Sequence, residues 1–253
     1  MFVAKILKPM KDQIDIEKVL RQQLEIDEFF TGDFALKGQQ SDESAPSHDT
    51  AEAAEGLKII ADLVNRCSKC GLSVTRTNAV PGEGSPKARI VFVGEAPGAD
   101  EDARGKPFIG RAGKLLGDII KAMGLQRSDV FICNILKCRP PDNRDPRPDE
   151  VIKCEPYLKK QLELIRPEVI IALGAHAART LLETNKPIGQ LRGRFHDYYF
   201  SEDAEPIKLM PTYHPAYLLR NYSPDNRKRV WEDMKKVLAD LGMKVPASQK
   251  TSK

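Results

Sequence analysis

Residues 89–116 read RIVFVGEAPGADEDARGKPFIGRAGKLL, and this stretch decides the fold. Its first six residues, RIVFVG, are a short apolar run of the kind found in a strand buried on both faces. A glycine-rich loop follows. RAGKLLGDIIKAMG, 111–124, then reads as a helix with Gly124 at its end. Outward from there the pattern repeats. Asp129–Lys137 predicts a second strand, and Pro148–Arg166 a helix with proline near its start. Glu168–Gly174, EVIIALG, predicts a third strand and Ala175–Thr184 a third helix. Strands at Arg194–Phe200 and Ile207–Thr212 and a helix at Asp225–Leu241, around Trp231, complete the series, which a helix at Gly56–Arg66 precedes. Strands alternating with helices imply a three-layer αβα sandwich, an α/β fold with a central, mostly parallel sheet. Such folds bind ligands beyond the carboxyl ends of their strands. The loops after RIVFVG, VFICN and IKLMPTY are therefore the ones to examine.

The chain of 253 residues is 41% hydrophobic and 30% charged, enough to bury a real core. No run approaches the roughly 20 apolar residues of a membrane helix. The start, MFVAKILKPMKDQ, lacks a long apolar region and a small-residue cleavage site, so no secretory signal is expected. Composition excludes a membrane protein, a collagen-like chain, a wholly disordered chain and a disulfide scaffold. Five cysteines in a chain of this size point to a reducing compartment and to metal or redox use.

The net charge of +4 hides a split. Residues 1–55 carry 6 Lys and Arg against 12 Asp and Glu, whereas the rest carry 34 against 24. The second part is the better partner for a polyanion. Three segments are expected: an acidic arm and flexible linker over 1–55, one domain over 56–243 and a disordered tail over 244–253. Within the arm, residues 13–30 have the spacing of an amphipathic helix, while 31–55 hold too little apolar surface to offset chain entropy.

The loop GEAPGADEDARGKPFIG, 94–110, has glycines for close backbone approach and leads into a helix start. It lacks GxxxxGK[ST], and no GxGxxG follows the strand, so a nucleotide-phosphate loop fails on detail. Glu95, Glu101 and Asp102 would repel phosphate and suit polarising a water or meeting a developing cation. A glycine-rich turn with solvated carboxylates is the plain alternative.

Three stretches together carry a resemblance: this loop with the helix start behind it, NILKCRPPDNRDPRPDEVIKCEPYL at 134–158, and MPTYHPAYLLRN at 210–221. In this order they resemble the motifs of the type-4 uracil-DNA glycosylases, the iron–sulfur branch of that superfamily. The similarity covers about residues 56–241 and leaves the N-terminal arm outside. It implies the uracil-DNA glycosylase fold and hydrolysis of the bond between uracil and deoxyribose, the first step of base excision repair.

Cys67 and Cys70 form a CxxC, and Cys138 and Cys154 flank a proline-rich loop and a helix start. Four thiolates can bind zinc or a [4Fe–4S] cluster. The 67 residues between Cys70 and Cys138 do not suit a compact zinc ribbon. The resemblance implies a [4Fe–4S] cluster on Cys67, Cys70, Cys138 and Cys154, with a structural role, because uracil excision moves no electrons. Cys133 is left over in an apolar strand, where a buried thiol is ordinary.

A glycosylase flips its nucleotide out, stacks the base and reads its edge. By resemblance Phe108 is the stacking ring, and Glu95 with the backbone of Ala96 and Pro97 lines the pocket. Asn134 ends the second strand, and its amide matches the N3–H donor and O4 acceptor of uracil but not cytosine. His214 is the implied donor to uracil O2, where negative charge grows as base and sugar separate. The best-known uracil glycosylases carry an aspartate where this chain has Ala96, so that aspartate mechanism does not carry over. Glu95 and Glu101 are the local carboxylates, and Glu101 is the expected residue for positioning water or facing the sugar cation. Leu218 is placed to fill the space left by the flipped base, with ordinary packing the alternative for it and Leu219, and Arg220 to hold a phosphate. Arg139, Arg144 and Arg147 of the proline-rich loop suit phosphate contacts or a solvated loop equally. His48, His176 and His196 are read as structural. Lys137 runs directly into CRPPDNR, without the basic insert of the relative that bonds covalently to DNA, so turnover is expected.

In the arm, Gln23, Ile26, Phe29 and Phe30 resemble a sliding-clamp peptide, which puts apolar anchors in a pocket through a short helical turn. The plain alternative is an amphipathic helix docking on its own domain. A monomer in a prokaryotic-type cytoplasm, associated with the nucleoid, completes the expectation. A glycosylase of wider scope, taking hypoxanthine for example, and a uracil- or DNA-binding iron–sulfur protein without turnover are the competing functions.

Overall fold

Strand β2, Ile90–Gly94, is buried at every position. Ile90 and Phe92 face one core cluster, Val91 and Val93 the other. Successive strand residues point to opposite faces, so a strand apolar at every position needs cover on both sides. In the computed structural model, which describes residues 50–200, 205–221 and 223–246, helices supply that cover. The clamp-like pattern and most of the expected arm and linker, with the tail from residue 247, lie outside the described residues.

The chain runs α1 (Thr50–Arg66), α2 (Leu72–Thr75), β1 (Glu83–Gly84), β2, α3 (Ala99–Arg104), α4 (Arg111–Ala122), β3 (Phe131–Asn134) and α5 (Pro148–Ile165). It continues through β4 (Val169–Leu173), α6 (Ala175–Leu181), α7 (Ile188–Leu191), β5 (His196–Tyr198), β6 (Ile207–Thr212), α8 (Pro215–Arg220) and α9 (Pro224–Asp240). Short 3-10 turns lie at Arg127–Asp129 and Pro141–Asn143. The sheet order is β1-β3-β2-β4-β6-β5. The four inner strands are parallel, and the two edge strands, β1 and β5, are antiparallel.

One face packs Leu158 and Leu162 of α5 and Ala177, Ala178 and Leu181 of α6. The other packs Leu116 and Ile120 of α4 and Met234, Val237 and Leu238 of α9. The expected three-layer αβα sandwich is the fold present. Helix α1 begins at Thr50, six residues before the expected start, so 50–55 are helix rather than linker. Burial of Ala53 explains the earlier start. Gly56 presses against Leu164 of α5: a Cβ there would lie 2.7 Å from Leu164 Cδ1. Helices α3, α7 and α8 had no signal in the sequence periodicity, being four to six residues long.

The topology positions the site. From β2 the chain passes to β3 on one side and later to β4 on the other. The crevice beyond β2 and β4 is thus a topological switch point, where α/β folds bind ligands. Gly94 and Asn134 are register partners at the ends of β2 and β3, as are Leu173 and Thr212 at the ends of β4 and β6.

Candidate active site

Beyond those strand ends lies a cavity of about 680 Å³, bounded by the 95–98 loop, Phe108, Asn134, the Gly174–His176 turn and His214. This is the size range of small-ligand pockets, roughly 300–1,000 Å³. Its floor requires glycine. A Cβ on Gly94 would lie 2.3 Å from Asn134 Oδ1 and 2.5 Å from Phe108 Cζ. Asn134 is 1% exposed, and its Oδ1 has no hydrogen-bond partner. Leaving such an acceptor buried and unpaired costs about 1–3 kcal/mol, so the site is built for a donor that arrives from outside.

Phe108 is buried in the left-handed region, at φ 49°. A non-glycine residue held there is strained and needs surrounding support. The Arg127 guanidinium donates to the carbonyls of Phe108, at 3.2 Å, and Pro107, at 2.8 Å. The Phe108 and His214 rings lie 5.7 Å apart at 36°.

Glu101 has backbone partners that the sequence did not show. Its carboxylate accepts from the backbone N–H groups of Gly98 (3.2 Å), Ile109 (2.9 Å) and Gly110 (3.0 Å). It ties the two ends of the loop together at the cavity wall. Glu95 is the second carboxylate of that wall. Its carboxylate lies with Asp145 and His176, the three ligand atoms within 4.8 Å of one another. Burial raises the Glu95 pKa, His176 opposes that rise, Asp145 adds to it and Arg220 opposes it. The sequence alone reads His176 as structural. It directly follows the carboxyl end of β4, and the strand-end rule applied to that loop would have found it.

His214 is the N-cap of α8. Its Nδ1 accepts from the Ala216 N–H at 3.1 Å, so the neutral ring carries its proton on Nε2. Burial, with Arg220 adding to it, lowers its pKa to about 4. The ring is therefore a neutral donor at physiological pH. Behind it, Thr212 donates to Asp233 at 2.6 Å and Arg192 also grips Asp233, fixing the end of β6. His196 bonds the Leu191 carbonyl at 2.9 Å, in keeping with its structural reading.

Leu218 is 3% exposed, as the packing alternative expects, and lines a surface cleft with Leu115, Ile119 and Trp231. Leu219, next to it, is 45% exposed. Arg220 is exposed at the cavity rim. Ala96 and Pro97 line the cavity as expected of a wall. Arg144 is engaged with the buried Glu150, at 2.9 and 2.5 Å, and holds the proline-rich loop rather than facing solvent freely.

The four cysteines implied as ligands sit beside one another and influence one another's ionisation. Burial raises the pKa of Cys70, Cys138 and Cys154, the last to about 12. Turning such thiols into thiolates calls for a strongly cationic centre. Arg76 donates to Cys138 Sγ at 3.0 Å and the Lys137 N–H to Cys154 Sγ at 3.2 Å, the hydrogen bonds that support bound sulfur. Four such sulfurs are a donor set that suits an iron–sulfur cluster or zinc. Cys133 is buried in the core.

A family profile described as the Uracil DNA glycosylase superfamily matches residues 81–235. The chain is 50% identical to a type-4 uracil-DNA glycosylase of Saccharolobus solfataricus, covering 75% of this chain and 88% of that protein. It is 46% identical to the type-4 enzyme of Thermotoga maritima, covering 72% and 93%. A type-5 uracil-DNA glycosylase of Pyrobaculum aerophilum is more distant, at 32% identity over 64% and 76%. With the motifs, the switch-point cavity and these matches in agreement, the chain belongs to the type-4 branch of the uracil-DNA glycosylase superfamily.

Proposed function

We propose that the cavity takes a flipped deoxyuridine and that the protein hydrolyses its N-glycosidic bond, releasing uracil and leaving an abasic site in DNA. The observation that carries this reading is the unpartnered buried Oδ1 of Asn134. Uracil N3–H is the donor that it lacks, and the same amide's Nδ2 donates to O4. Cytosine has no N3 proton and presents a donor at position 4, so it leaves buried groups unpaired, costing about 1–3 kcal/mol for each.

Phe108 stacks on the base. The Nε2–H of His214 donates to O2, where charge accumulates as the bond breaks, so it favours the transition state over the bound substrate. Glu95, beside Asp145 and His176, faces the sugar cation and orients the attacking water in place of the missing aspartate. Glu101 and Arg127 hold the loop that carries these groups. Leu219 and Arg220 meet the DNA strand at the rim.

Cys67, Cys70, Cys138 and Cys154 suit a [4Fe–4S] cluster. When bound it cross-links α1, α5 and the strand-end segment before Cys138, and supplies stability rather than a reaction step. The peptide pattern at Gln23, Ile26, Phe29 and Phe30 fits a sliding clamp, and loss of clamp affinity in a Phe29→Ala, Phe30→Ala variant tests it. The working picture is a monomer acting at the nucleoid. Among the described residues no helix is long and apolar enough to cross a membrane.

The decisive experiment is uracil excision from a labelled single-stranded oligonucleotide in excess over iron-loaded protein, with thymine and hypoxanthine substrates alongside. Multiple turnovers on uracil alone are expected. Binding without turnover, or a preference for hypoxanthine, would replace this reading.

A further inference from the structure

Lys137 is 1% exposed, on the segment that leads from Asn134 to Cys138. Its Nζ donates to the backbone carbonyl of Asn134 at 3.0 Å and to Gln161 Oε1 at 2.6 Å. Gln161 is equally buried. Its Nε2 donates to the Pro81 carbonyl at 2.8 Å, which turns its oxygen toward the ammonium. Both acceptors are neutral, and among the described residues no carboxylate pairs with this ammonium. A dry cation with only dipoles around it is costly to keep. A side chain serving only to fasten β3 to α5 could do so without charge.

We infer that Lys137 keeps a buried positive charge directly behind Asn134 to stabilise the negative charge that develops on the uracil ring during bond cleavage. The inference rests on the excision reading above. The C1′–N1 electron pair leaves with the base, giving a uracil anion and a sugar cation. Water adds its oxygen to C1′, and the proton that it releases neutralises the base. His214 reaches the ring only by a neutral hydrogen bond, because burial keeps it unprotonated. Lys137 supplies the full charge that the pocket wall lacks. It acts through the Asn134 segment, in a low-dielectric setting where a fixed charge is felt strongly. Lys137 is a positioning residue, touching the reader of the base and not the base. On its other side its own backbone N–H donates to Cys154 Sγ at 3.2 Å.

The test compares single-turnover release of uracil and of 5-fluorouracil from the same oligonucleotide. Fluorine stabilises the departing anion, so this base depends less on charge supplied by the protein. Two variants are used. Lys137→Met removes the ammonium. Gln161→Glu keeps the ammonium but sets a carboxylate against it. Visible absorbance of the cluster and cooperative melting identify folded protein, and the second variant carries the test where the first does not fold. Each variant is expected to slow uracil release on the order of tenfold or more, with KM little changed and 5-fluorouracil slowed less. A rise in the 5-fluorouracil to uracil rate ratio is therefore the supporting result. Equal slowing of both bases, or no slowing, overturns the inference alone. Wild-type protein that releases neither base overturns the excision reading and this inference with it.

Discussion

The carbonyl oxygen of Phe108 occupies the space that a side chain on Gly113 would need: a Cβ built there lies 1.9 Å from it. The first turn of α4 therefore presses on the strained residue whose ring walls the cavity, and Arg127 holds the same carbonyl from outside. Gly113→Ala is expected to destabilise the protein by about 1–3 kcal/mol, as overpacking does. Arg127→Met is expected to raise KM for uracil-containing DNA more than it lowers kcat, because it loosens the stacking ring without touching the charge-bearing groups. Melting temperatures and steady-state kinetics of the two variants check both outcomes.

Glu101 and Glu95 are expected to divide by role. Glu101→Gln replaces an acceptor of three N–H groups with a side chain that also donates. A lowered melting temperature is expected, since hydrogen bonds to a charged acceptor contribute about 1.5–3 kcal/mol each. Glu95→Gln is expected to lower kcat by about 10²–10⁴-fold. Its stability should hold or rise near neutral pH, because burial raises the Glu95 pKa and the charged form is the disfavoured one. Single-turnover excision beside thermal melts separates the pair, and wild-type excision by Glu95→Gln would remove it from the chemistry.

His214 sets a pH limit. Its folded pKa, about 4, lies below its ordinary value of 6.5. The unfolded chain therefore binds more protons between these values, and stability rises with pH across that window. Its contribution is full above pH 6.5 and is lost as pH falls through about 4. Protonating Nδ1 also sets two donors face to face at Ala216 and opens the start of α8. Excision should stay level in its dependence on His214 from neutral pH down and fall near pH 4. A ring-proton titration together with a pH–rate profile reads this directly, and a His214 midpoint near 6.5 would refute it.

Leu218 and Leu219 should behave differently although adjacent. Leu218→Ala empties a packed site and is expected to cost about 2–5 kcal/mol of stability. Leu219→Ala leaves stability unchanged and lowers excision from duplex more than from single-stranded DNA, because only the duplex leaves a gap for it to fill. Parallel assays on the two substrates check this. Equal loss on both would take Leu219 out of that role.

Removal of iron should act on the fold first. Prolonged chelation, or Cys67→Ala, is expected to bleach the visible absorbance and lower the melting temperature together. The fraction still folded should retain uracil excision. An iron-free Cys67→Ala protein with unchanged melting and full activity would contradict the structural role of the cluster.

The sequence by itself determined what depends on periodicity and on local chemistry. β2 and β4 were legible because strands buried on both faces are apolar at every position, and α5 because its length and first-turn proline declare it. Phe108, Asn134, His214 and the four cysteines were legible because they sit in long motifs at strand ends and loops. Tertiary structure decided what depends on which groups meet across the fold. Glu101 reads as a free carboxylate until Ile109 and Gly110 fold back onto it. Leu218 reads equally as a residue entering the DNA or as packing until α8 lies against α4 and buries it. His176 reads as structural until β4 is laid beside β2, bringing it to Glu95. Lys137 reads only as the end of a strand until Gln161 and the Asn134 carbonyl close around it. Burial and hydrogen-bond partnership are relations between distant residues, and no local pattern encodes them.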